Sequence, residues 1–339
     1  MRRTRYRARW VLPIAGPPIR DGALLVDEQG RIAEVGADAH VARPDDAESI
    51  DLGVSALMPG LVNAHAHPEL TALRGILEDL PFETWIPTLR DIKVRASLSA
   101  DDLQLAALWQ LAEAYAAGIT TVAATEDSSA AFDALRASGG RGVVYREVFG
   151  PAPGQCTAAV EGLKANVEAL RARANDLVTV GVSPHAAYTV SDVLFRTVAE
   201  YAHAQGLPVA VHVAESAAES ALVADATGPF AARLQQRGIA IDPRARSPIA
   251  LLEQTGILAL RPLLIHCVQI DAADIAAIAA AGASMVHCPV ANARLGHGIA
   301  PVVELHMAGV NVALGSDSMA SNNRMDLLEE ARIAQLMQR

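Results

Sequence analysis

Six side chains have the types and spacing for metal-assisted hydrolysis: His65, His67, His212, Glu215, His266 and Asp317. Residues two apart on a strand face the same way, so His65 and His67 can grip one ion together. His212 and Asp317 complete a set of three imidazoles and one carboxylate, which suits a single divalent ion, zinc or alternatively iron, with a position left for water. Such an ion lowers the pKa of bound water to about 7 and so supplies hydroxide at neutral pH. Glu215 follows His212 by three residues; it can reach the substrate side without being a ligand and carry a proton from water to a leaving group. His266 either polarises the hydroxide or is a further ligand. Each feature has a plainer reading. An isolated HxH is often just a polar strand end. Asp317, in Gly-Ser-Asp-Ser, fits a helix N-cap. Glu215 fits the acidic first turn of a helix. Their order along the chain decides for the metal.

That order follows a strand-and-helix alternation. Short apolar runs at 61–65, 120–124, 142–148, 178–183, 209–213, 263–267, 283–287 and 310–315 read as parallel strands buried on both faces. Helical stretches separate them, the clearest running from Asp101 to Ala117 with Leu103, Leu105, Leu108 and Leu111. The expectation is an α/β fold, a (β/α)8 TIM-type barrel over 58–339. The rival, an open doubly wound sheet, lacks a GxGxxG or GxxxxGK[ST] fingerprint. Barrel sites lie at the C-terminal strand ends, where most of the ten histidines fall: His65, His67, His185, His212, His266 and His287. Residues 1–57 differ. Short strands at 23–26 and 31–35 flank a turn and predict a small β region, distinct from the barrel.

Composition narrows the classes. About half of the 339 residues are hydrophobic and the net charge is −10, with both signs dispersed. No extended nucleic-acid face is expected, and the basic run from Arg2 to Arg9 reads as a first strand. Cys156, Cys267 and Cys288 form no CxxC pair, which predicts a reducing, cytoplasmic setting. Pro13, Pro17 and Pro18 interrupt any apolar leader. Apolar runs are too short to cross a membrane. A small molecule is the expected partner.

The stretches Pro59-Gly-Leu-Val-Asn-Ala-His-Ala-His67, Ser183-Pro-His-Ala-Ala-Tyr-Thr189, His212-Val-Ala-Glu215, Ile265-His-Cys-Val-Gln-Ile-Asp271, His287-Cys-Pro-Val-Ala-Asn292 and Gly309-Val-Asn-Val-Ala-Leu-Gly-Ser-Asp317 span almost the whole chain. Together they resemble the amidohydrolase superfamily, in its deaminase and chlorohydrolase branch. The resemblance implies one metal on His65, His67, His212 and Asp317, because the fourth strand ends Gly181-Val-Ser-Pro-His185 without the lysine that bridges binuclear sites. It implies Glu215 as proton shuttle, Asp317 as a second proton acceptor, His266 orienting the hydroxide and His185 touching substrate.

Arg74-Gly75 and Phe82–Trp85 are similar to methylthioadenosine and S-adenosylhomocysteine deaminases, which makes Trp85 a candidate substrate contact. Those enzymes carry a ribose-binding glutamate where this chain reads Asp91-Ile-Lys-Val-Arg95. His67-Pro-Glu69-Leu70 and Leu295-Gly-His-Gly298 are closer to aminodeoxyfutalosine deaminases, so Glu69 and His297 are candidate specificity residues. Residues 1–57 also resemble the N-terminal half of that family's small β-sandwich; relatives continue beyond the position of Arg339, so the chain is either a fragment or has a reduced sandwich. A reduced sandwich should expose Leu24, Val26 and Ile32 unless a partner, such as a second copy, covers them. The expected function is hydrolytic deamination of an amino-substituted purine nucleoside or related heterocycle. The alternatives are triazine dechlorination or cyclic-amide opening in the same site, or an inactive scaffold.

Overall fold

Arg5, Ala8 and Val11 are buried along Thr4–Val11, and the intervening arginines reach acidic partners. Arg7 Nη1 lies 2.8 Å from Asp51, Arg9 Nη1 3.0 Å from Asp21 and the buried Arg5 2.7 Å from Asp38. The basic run is therefore a strand whose charges are neutralised within its own sheet. The structure, a computed structural model, describes residues 2–339 and divides into two compact units, one ending at Gly60 and one spanning Leu61–Arg339.

In the first unit, β1 (Thr4–Val11) pairs antiparallel with β2 (Ile19–Val26), which pairs antiparallel with β3 (Ile32–Ala37). Two short strands, β4 (Glu48–Asp51) and β5 (Ala56–Leu57), run parallel to β1. These make one sheet over a small core of Ala23, Leu25 and Val41. No second sheet layer occurs among the described residues of this unit. Of the three apolar residues expected at its surface, Ile32 is 64% exposed, while Leu24 and Val26 are half-buried.

The second unit alternates strand and helix. It begins with β6 (Leu61–His67), a 3-10 turn at Pro68–Leu73, α1 (Phe82–Ala96), α2 (Ala100–Ala116), β7 (Ile119–Glu126), α3 (Ala130–Ser138), β8 (Arg141–Val148) and α4 (Cys156–Arg171). There follow β9 (Val178–Pro184), α5 (Asp192–Gln205), β10 (Ala210–Val213), and three helices in place of one: α6 (Ala217–Asp225), α7 (Gly228–Gln236) and α8 (Pro248–Gln254). The last part holds β11 (Leu263–His266), α9 (Ala272–Ala281), β12 (Ser284–His287), α10 (Pro289–Arg294), α11 (Val302–Met307), β13 (Asn311–Leu314), β14 (Asp317–Ser318), α12 (Met319–Asn322) and α13 (Leu327–Met337). Six of the helix starts are capped by a side chain; at α2 the Ser99 hydroxyl accepts from Asp102 N at 3.1 Å and the Asp102 carboxylate accepts from Ser99 N at 2.9 Å.

All pairings in this unit are parallel. They form one sheet in the order β14-β6-β7-β8-β9 and another in the order β10-β11-β12-β13. A parallel bridge, Val182 to Val209, joins β9 to the residue before β10. The fold is thus mixed α/β, with near-continuous burial along strands such as β9 and β10, as parallel strands covered on both faces require. Among the described residues no helix is long and apolar enough to cross a membrane. Cys156, Cys267 and Cys288 are all free.

Candidate metal centre and active site

The C-terminal ends of the strands bring their polar residues to one cavity. β6 ends in His65 and His67, and β10 carries His212. Asp317 does not continue β13: a break at Gly315-Ser316 lets it start its own two-residue strand, registered against Ala66. Its φ of 57° is left-handed. Asn63 ties the two strands together, accepting from Ser316 N at 3.0 Å and donating to Ser316 Oγ at 2.7 Å. A Cβ on Gly315 would stand 2.9 Å from His65 Cβ and 2.8 Å from Val286 Cγ1, so glycine is needed for this close approach.

The ligand candidates meet tip to tip. His67 Nε2 lies 3.3 Å from His212 Nε2, and Asp317 Oδ1 lies 3.3 Å from His65 Nε2 and 3.7 Å from His67 Nε2. His65 and His212 also offer nitrogens within 4.8 Å of each other. Their outer atoms are held: the His212 Nδ1–H donates to the His185 carbonyl at 3.2 Å, and the Ser321 hydroxyl donates to Asp317 Oδ2 at 2.6 Å. His65 is buried, yet neither ring nitrogen has a hydrogen-bond partner. Burial and neighbouring imidazoles push the His67 and His212 pKa values well below the usual range, so both rings are neutral and offer lone pairs. Burial raises the Asp317 carboxyl, but the adjacent His65, His67 and His266 rings outweigh it and leave it strongly acidic. Ligands about 2.0–2.1 Å from a tetrahedral ion stand about 3.3 Å apart. The donor set and its spacing fit a zinc ion.

Around these four, Glu215 follows β10 through Ala214, whose φ of 51° turns the chain into the cavity. Glu215 Oε1 lies 3.1 Å from His297 Nε2 and 3.4 Å from His266 Nε2. Burial raises its carboxyl, but the His266 and His297 rings outweigh that and hold it below the ordinary glutamate value. His266 and Cys267 both have positive φ, 77° and 46°, and the His266 Nδ1 lies 2.9 Å from Asn292 Oδ1. His185 follows β9, with Nδ1 2.8 Å from Thr189 Oγ1; burial lowers its pKa to about 4.

A cavity of about 580 Å³ is lined by His67, His185, His212, Glu215, His266 and Asp317, together with Glu69, Trp85, Phe82, Tyr188 and Phe230. His297 is not among its lining residues; its Nε2 touches Glu215, which is. His287, though at a strand end, is fully buried outside the cavity lining.

Two carboxylates beside the site escaped the search for histidines at strand ends. Glu147, near the end of β8, lines the cavity 4.0 Å from His212 Nδ1, and burial with nearby Asp127 and Glu69 raises its pKa well above normal. Glu126 ends β7 and accepts from Ala131 N at 2.8 Å and Phe132 N at 3.3 Å, anchoring the start of α3. Their signal was present, since a glutamate inside an apolar parallel strand has a reason to be buried.

Residues 56–339 match the amidohydrolase family model. The chain belongs to the amidohydrolase family. Among amidohydrolase relatives, the 5-methylthioadenosine/S-adenosylhomocysteine deaminase of Nitratidesulfovibrio vulgaris is 32% identical over 319 residues, 92% of this chain and 67% of that protein. A zinc-bound adenosine deaminase from Xanthomonas campestris superposes with a TM-score of 0.84 at 29% identity, over 99% of this chain and 73% of the other. The Helicobacter pylori aminofutalosine deaminase shares the fold, with a TM-score of 0.86 at 19% identity over 98% of this chain and 81% of the other. These relatives are deaminases, hydrolases acting on carbon–nitrogen bonds, and the family expectation drawn from the motifs holds.

Proposed function

We propose that the chain is a zinc-dependent hydrolytic deaminase of an adenine nucleoside or a closely related amino-substituted heterocycle. The observation that carries this reading is the buried Glu215 carboxylate, lining the cavity beside the His65, His67, His212 and Asp317 cluster. Zinc held by those four residues would supply Lewis acidity that makes a water acidic at neutral pH. Glu215 takes a proton from the attacking water and delivers it to the departing amine, so that water adds at the ring carbon and ammonia leaves. Asp317, kept ionised, is the second proton acceptor. His266 orients the attacking oxygen.

His185, Glu69 and Trp85 are proposed to contact the substrate, since all three line the cavity. A carboxylate proton carrier favours an amine leaving group over chloride, because chloride departs without protonation. Three exposed arginines without acidic partners among the described residues, Arg90, Arg233 and Arg237, line the same cavity. They make nucleosides with anionic 5′ substituents worth testing beside neutral ones.

For the architecture we propose a closed (β/α)8 barrel over 58–339, with 1–57 contributing part of a β-sandwich. The Val182–Val209 bridge between the two parallel sheets and the pairing of β14 with β6 support closure. Three free cysteines support a reducing, cytoplasmic setting.

The test is ammonia release across adenosine, methylthioadenosine, S-adenosylhomocysteine, aminodeoxyfutalosine and guanine, with chloride release followed for a chlorotriazine. Turnover of one or more adenine nucleosides by the zinc-loaded chain is expected. Turnover of the triazine alone, or of nothing with zinc bound, overturns the reading.

A further inference from the structure

We infer that His297 is a positioning residue that holds the Glu215 carboxylate for proton transfer. This rests on the reading of Glu215 as proton carrier. His297 sits between Gly296 and Gly298, whose φ values of 70° and 107° are open chiefly to glycine. Its N–H donates to Asn292 O at 2.9 Å and its carbonyl accepts from Gln269 Nε2 at 2.7 Å, so the loop is tied on both sides.

The imidazole is directed rather than merely buried. Phe82 packs edge to face on it, with ring centroids 4.4 Å apart and planes at 90°, which fixes the ring plane. Its Nε2 then lies 3.1 Å from Glu215 Oε1, a close contact that is not yet a well-aligned hydrogen bond. Such contacts tighten when substrate fills the site. Glu215 and Phe82 line the cavity and His297 does not, so His297 acts through Glu215 and not on the ligand.

The other ring on the same oxygen cannot do this work when neutral. His266 Nδ1 faces Asn292 Oδ1 at 2.9 Å, which takes the N–H of the ring in this amide orientation. Its Nε2, 3.4 Å from Glu215 Oε1, then carries no proton. His297 is left as the donor that pins Oε1 and restricts the carboxylate to one orientation. A displacement of about 1 Å at a reacting group costs on the order of 100-fold in rate.

The experiment compares His297→Leu, which keeps the bulk, with His297→Gln, whose amide nitrogen replaces Nε2 as donor. The inference expects kcat to fall roughly 30- to 100-fold in His297→Leu with KM within about threefold and zinc content unchanged, and His297→Gln to recover most of the loss. In metal-free protein, imidazole ¹⁵N spectra should show a protonated His297 Nε2 whose resonance moves on Glu215→Gln. Unchanged kcat in His297→Leu, equal losses in both variants, zinc loss in both, or a resonance blind to Glu215→Gln overturns it. A wild-type chain that deaminates nothing sinks the deaminase reading instead, and the spectrum still decides the contact.

Discussion

His67 and His212 face each other through their Nε2 atoms at 3.3 Å, each ring held neutral by its surroundings. Two lone pairs at that distance repel unless a cation lies between them or a proton is shared. Zinc should therefore stabilise the fold strongly. At a free zinc concentration 1,000 times Kd, linkage gives about 4 kcal/mol, and thermal melting with and without a chelator should show a rise of several degrees. Asp317→Asn and His212→Ala should remove most of that rise. A melting temperature indifferent to zinc would show that the four residues are not a site.

Glu215→Gln keeps the shape and removes the proton-carrying group. The expected result is a loss of kcat of about 100- to 10,000-fold with zinc still bound at one per chain, measured by ammonia release and metal analysis. Near-normal turnover would move the proton transfer to another residue.

Gly315→Ala places a methyl 2.9 Å from His65 Cβ and 2.8 Å from Val286 Cγ1, with Cys288 Sγ at 3.1 Å. None of the first two atoms is the free end of a flexible chain, so β6 or the Gly315-Ser316 link must shift. A destabilisation of about 1–3 kcal/mol is expected in urea melts, together with weaker zinc binding, because the shift separates His65 from Asp317.

His287 is fully buried, neither ring nitrogen has a partner, and burial lowers its pKa to about 4. Its folded pKa lies below the unfolded value near 6.5, so the folded state binds fewer protons between those limits. Its contribution is fully present above about pH 6.5 and is lost as pH falls towards 4, by up to about 3 kcal/mol. His287→Gln should flatten the difference between urea melts at pH 7 and pH 5. An unchanged difference would assign the acid sensitivity elsewhere.

The histidines at strand ends were legible because parallel strands are almost wholly apolar, and a polar residue at such an end stands out against Val, Ile and Ala. His65, His67, His212, Glu215, His266 and Asp317 do come together. Less legible was how Asp317 arrives there. It reads in sequence as the continuation of the last apolar run, whereas a break at Gly315-Ser316 gives it a strand of its own beside β6. Three helices between β10 and β11 also read as one segment, although Gly228-Pro229 and Gly238 mark the breaks after Ala226 and Arg237. His297 read as a substrate contact; its 3.1 Å approach to Glu215 is a side-chain pairing that sequence spacing does not give. Glu126 and Glu147 were passed over because a charged residue within a strand reads as a surface position unless both faces are known to be covered.

The clasp between Asn63 and Ser316 joins residues 253 positions apart. A ribosome makes His65 and His67 early and Asp317 only after almost all the intervening strands have emerged. Until then a nascent chain has an incomplete set of ligands and holds metal weakly. Tight metal retention thus needs the chain through Asp317, and loading the ion doubles as a readout that the last ligand has joined the first.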